Sequence, residues 1–169
     1  IPIPSRKVSG GKGKKSMDEA RFAILKAEIE DCCREIDYVY DRIDRRKDHF
    51  EARDETVDSM AYQLHNLYGA FERLFEMVAH RFENHVEGER YHTDLLRRMR
   101  LEIEGIRPAL IAGEGFLLLD GLRRFRHFFR HAYTADLEAD QIQTLLTTAN
   151  RLRAVYKSDV EEFLERLKP

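Results

Sequence analysis

The sequence has no tryptophan and only four prolines in 169 residues. It also lacks any stretch in which valine, isoleucine and threonine alternate with polar residues. These absences exclude a sandwich or barrel of short strands and favour helices. Cysteine is nearly absent too. Cys32 and Cys33 are adjacent, and neighbours on a helix point in different directions, so they neither bridge nor form a Cys-x-x-Cys metal pair. Buried packing is the reading we adopt for both. No secretory signal pattern and no apolar run near twenty residues is found, which leads to the expectation of a cytoplasmic protein with no membrane span.

What is present is a charged and apolar mixture, 36% and 43% respectively, as in an ordinary globule of one domain. Residues 1–16 stand apart. They hold Pro2, Pro4, Gly10, Gly11 and Gly13 with five cations and no acid, and Met17 follows. We read them as a vector-derived or flexible basic leader, the alternative being a native arm that touches nucleic acid. The whole chain is −2, so the five leader cations leave −7 on Met17–Pro169. A basic surface on so acidic a body has to be local, which argues against nonspecific coating of nucleic acid.

Apolar spacing of three and four predicts a first helix from about Asp18 to His49, with Phe22, Leu25, Ile29, Cys32, Ile36, Val39 and Ile43 as its seam. A second runs from about Glu55 to Glu83. Its stripe is wide enough to require more than one neighbour, so it should lie centrally, with Gly69 a point of close approach or merely tolerated. A short helix is expected over about Tyr91–Glu102 and a connection through 103–113. A fourth helix should span about Glu114–Ala132. A last one should cover about Glu138–Leu167, with Ile142, Leu145, Ala149 and Leu152 inward. The expected fold is all-α, an up-and-down bundle of four main helices plus a short one.

The fourth helix carries the most specific string, Arg126-His-Phe-Phe-Arg-His-Ala-Tyr133. On a wheel, Leu118, Leu122, Phe125, Phe129 and Ala132 form the expected core arc, with Arg126 at its flank. Arg123, Arg124, His127, Arg130 and His131 spread over the far side. Three readings compete for them. A solvated cationic face suits a helix C-terminus. His127 and His131 have the i, i+4 spacing of two zinc ligands, but no Glu follows His127 and four arginines repel a dication, so we expect no metal. Arginine forks also match phosphate oxygens.

Arg126, four residues, His131, one residue and Tyr133 resemble the signature of HEPN-domain ribonucleases, and within them the HepT-like toxins. His127 takes a polar place that often holds Asn or Asp. The layout of helices is similar across Met17–Pro169, and His65-Asn66-Leu67-Tyr68 and Phe82-Glu83-Asn84-His85 also look like that group. The resemblance implies a HEPN-like bundle and metal-independent RNA cleavage with no cofactor. Arg126 and His131 would be catalytic, with His127, Arg130 and Arg123 supporting on the phosphate. It further implies a homodimer with the motif at its interface. A nucleotidyltransferase antitoxin would adenylylate Tyr133, whose other reading is a packing residue at a helix end. The alternative is a HEPN-type helical protein that binds nucleotides or partners without cutting; a coiled-coil adaptor built on the Phe22–Ile43 seam is a third class. Arg126 and His131 are five positions apart, about 140° on a straight helix, so one phosphate reaches both only if the helix unwinds or a second subunit closes the cleft.

Overall fold

The computed structural model describes residues 17–83, 91–131 and 136–169, the side chains of 91–93 excepted. The leader 1–16, the expected loop around Gly88, Ala132 and Tyr133 lie outside the described residues. Five helices are present: α1 Glu19–Lys47, α2 Asp54–Glu83, α3 Tyr91–Met99, α4 Gly113–His131 and α5 Ala139–Leu167. Asp18 caps α1, its carboxylate accepting from the Arg21 N–H at 2.8 Å, and Arg45, Arg46 and Lys47 complement the macrodipole at the other end. The short helix stops at Met99, a turn earlier than the spacing predicts. The chain there turns back: Leu110 and Ile111 donate their N–H groups to the Met99 carbonyl, and Gly105 takes a φ of 74°.

The four long helices run up and down. Ion pairs and rings fix each direction. Arg46 meets Ser59 while Arg81 meets Glu28, which makes α1 and α2 antiparallel. His65 meets Phe129 and Glu72 meets Arg126, so α2 and α4 are antiparallel as well. Phe71 packs on Tyr156 and Phe82 on Phe163, so α2 and α5 run parallel across the middle. α2 touches all four other helices, in keeping with the expected central place. The connection after α3 is pinned by Arg107. Its guanidinium, wholly buried, pairs with Glu83 and donates to the carbonyls of Leu101, Arg98 and Pro108. A buried cation with this many acceptors is satisfied rather than costly.

Three expectations about the core need correction. In α5 the inward residue is Leu146, and Leu145 is only half-buried. In α4 the buried residue is Leu119 rather than Leu118. The reason is close approach at Gly115, where an added Cβ would stand 2.8 Å from Asp159 Oδ2 and 2.9 Å from Ile111 Cγ2. α4 therefore leans onto α5 along Gly115, Leu119 and Leu122, turning its whole wheel. In α1 the two cysteines are half-buried against the core rather than inside it, and burial pushes both thiols up, Cys33 to about 11. Tyr40, absent from the expected seam, is fully buried, and its hydroxyl donates to the Ala149 carbonyl at 2.8 Å. This bond spans α1 and α5. Tyr40→Phe should lower stability by about 1 kcal/mol, a drop of roughly 2–4 °C in melting midpoint, read by thermal denaturation; an unchanged midpoint would contradict the role assigned to the bond.

Candidate functional site

The rotation of α4 changes where its cations point. Residues 115, 119, 122 and 125 are buried, and Arg126 lies within their arc rather than at its flank. Its side chain is 20% exposed and reaches across to α2, where its Nη1 pairs with Glu72, itself 8% exposed. The guanidinium carbon lies 5.8 Å from the centre of the Tyr68 ring. Gly69 is what it passes over: an added Cβ there would be 3.7 Å from Arg126 Nη1, an ordinary contact. Gly69 is thus tolerated by space on either side of the contact. Arg126 Nε is buried with no hydrogen-bond partner among the described residues.

His65 completes this corner. Its ring lies 5.2 Å from that of Phe129 at 37°, and its Nδ1 is also buried without a partner among the described residues. Burial lowers its pKa first, and the Arg126 and Arg130 cations lower it further; Glu72 opposes them. The imidazole is thereby held neutral beside two guanidinium groups. Arg126, His65, Asn66, Gly69 and Glu72 share one cleft of about 670 Å³, whose other wall is α1.

The remaining motif residues lie elsewhere. His127 and His131 are exposed on the solvent side of α4, one turn apart, with ring centroids 4.7 Å from each other at 58°. Arg130 is exposed beside them, and none of the three holds an acidic partner among the described residues. Arg123 differs: its Nε donates to Asp120 at 2.8 Å, and Asp120 also pairs with Arg124 at 3.0 Å. Arg123 is therefore engaged along its own helix. His131 is the last residue of α4, and Tyr133 lies outside the described residues. The structure brings His127 and His131 together on the solvent side and seats Arg126 on α2, with Arg130 one turn on from Arg126 and near His65. Among the described residues no group of three or more His, Cys, Asp and Glu is placed to hold a metal ion. No described helix is long and apolar enough to cross a membrane.

Sequence reasoning missed Glu72 and the placement of His65. Glu72 sits 54 residues from its partner, and no local pattern marks it. The His65-Asn66-Leu67-Tyr68 string was a signal of kinship, though its meeting with Arg126 needed the fold.

An all-helical bundle with a cationic, histidine-bearing end on its fourth helix is of the HEPN-like class. Residues 59–167 match the family described as HepT-like protein, and the chain belongs to that family. No curated protein and no solved structure matches it.

The depressed pKa of His65 has a stability consequence. The folded state disfavours the imidazolium while the unfolded chain binds the proton at its usual 6.5, so stability is full above that value and falls as the pH drops below it. Between pH of about 7.5 and about 5.5, the wild type should lose more denaturant resistance than His65→Gln. Equal losses would show that His65 is not held neutral.

Proposed function

We propose that this protein is a metal-independent endoribonuclease, the toxin of a pair whose antitoxin is a nucleotidyltransferase. One observation carries the reading: the Arg126…His131 spacing falls on the last turns of α4, inside the segment matched to the HepT-like family, with His127, Arg130 and His131 exposed there together. In this reading His131 moves the proton of the RNA 2′-hydroxyl or supplies one to the leaving oxygen. Arg126 stabilises charge on the phosphorane. His127 and Arg130 hold the phosphate, with Arg123 behind them.

The geometry favours two chains. Arg126 faces α2 and His131 faces solvent on one helix, about 140° apart, so a single phosphate does not bridge them within one subunit. A symmetric dimer that brings the exposed end of one α4 towards the Arg126 cleft of the other removes the difficulty. A phosphate-bearing group placed on Tyr133 by the antitoxin would set negative charge near Arg130 and block that end.

The direct test is cleavage of RNA in EDTA. Wild type should cut, His131→Ala should lose about 10²- to 10⁴-fold in rate, and Arg126→Ala about 10²- to 10³-fold, with helical content unchanged. Equal cleavage by all three, or none by any, would overturn the assignment. None by the wild type with nucleotide binding retained would leave the non-catalytic alternative, a reading that the engagement of Arg126 by Glu72 favours. Co-expression with a partner nucleotidyltransferase should add one nucleotidyl mass to the Tyr133 peptide; a peptide of unmodified mass would remove the proposed switch.

A further inference from the structure

The cleft beside Arg126 has a composition that the cleavage chemistry does not use. It runs along the outward face of α2, between α1 and α4. Three arginines line it, and each already holds an acid. Arg34 donates to Asp31 at 2.8 Å, Arg73 lies 3.1 Å from Glu35, and Arg126 pairs with Glu72. A groove whose cations are compensated one for one is no channel for a polyanionic backbone. It suits a neutral, planar group with polar edges.

Two side chains offer what such a group needs. Tyr38 stands on the α1 rim, 58% exposed as a residue, with an aromatic surface that the core does not use. The Arg42 guanidinium carbon is 5.9 Å from the ring centre and steadies that rim. Asn66, on the floor, is half-buried and makes no side-chain hydrogen bond among the described residues. Its amide carries both donors and an acceptor. Tyr62, half-exposed, continues the same outward stripe of α2 one turn from Asn66. Aromatic rings that take stacked bases, with an amide to read their edges, are the usual means of holding unpaired RNA.

We propose that this cleft is a nucleobase pocket: it receives an unstacked base of the bound RNA, with Tyr38 stacking on the base and Asn66 bonding to its edge. The inference rests on the ribonuclease reading and deepens it by assigning a base-recognition site that adjoins Arg126 and lies apart from His127 and His131 at the end of α4. The substrate is then single-stranded or locally unpaired RNA, because a paired base cannot leave its helix without an unstacking cost.

The experiment uses the full chain carrying His131→Ala, so that RNA persists, and a short single-stranded RNA with one 2-aminopurine. Binding should quench the fluorophore through stacking. Adding Tyr38→Ala should restore most of the fluorescence and weaken binding about tenfold, the range of one stacked base. Adding Asn66→Ala should narrow the affinity differences among RNAs that vary at that base. Both residues lie outside the core, and helical content checks the fold. Quenching and affinity unchanged by Tyr38→Ala, with RNA still bound, would overturn the pocket while leaving the ribonuclease reading in place. No binding of any RNA would overturn both.

Discussion

A helix apolar around most of its circumference has to be enclosed, and α2 is such a helix. Its buried residues, from Val57 to Ala79, cover more than half of its circumference. Three long neighbours and the short α3 are needed to cover that surface, and the order of the bundle follows from it. The same demand leaves one seam of α2 uncovered, the stripe through Tyr62, Asn66, Gly69 and Arg73. The cleft between α1 and α4 lies over part of that stripe. Glu72 and His65 stand where it turns into the α4 contact. The core of the protein and its candidate site are therefore two sides of one helix.

Electrostatics then separates two kinds of surface on a body of −7. Along the cleft, cations and acids are matched. At the C-terminal end of α4, Arg130, His127 and His131 have no acid against them among the described residues. In the proposed reading, phosphate is drawn to the second surface and heterocycles to the first. Arg126 belongs to both by position, since its side chain leaves the arc of α4, crosses Gly69 and ends on Glu72. Removing Glu72 would leave a largely buried guanidinium without its carboxylate, a change that typically costs several kcal/mol when the partner is fully buried and less at this exposure.

Much of the fold was legible because long amphipathic stretches announce themselves. α1, α2, α4 and α5 begin and end within a residue or two of their spacing patterns. What was not legible was rotation. Leu118 and Leu119 are both apolar, and only the contact of Gly115 with Asp159 and Ile111 decides between them. That choice carries Arg126 from the flank of the helix into its buried arc. The motif itself could be read as a string, as could its titratable histidines. The partners that set its chemistry, Glu72 and His65, are far away in the chain and became visible only when α2 was laid against α4.

The angle between Arg126 and His131 is the strongest constraint on mechanism. A regular helix cannot turn residues five apart onto one phosphate. α4 stays helical through His131, so relief by unwinding between the two is not what the chain adopts. Arg126 is also fixed by its ion pair and by the Tyr68 ring, which leaves it little freedom to swing outward. His131, in the last described turn of α4, is exposed. A site that needs both must bring an exposed histidine from one chain to a seated arginine of another. If the protein cuts RNA as proposed, cleavage would depend on protein concentration, and blocking that contact would silence it.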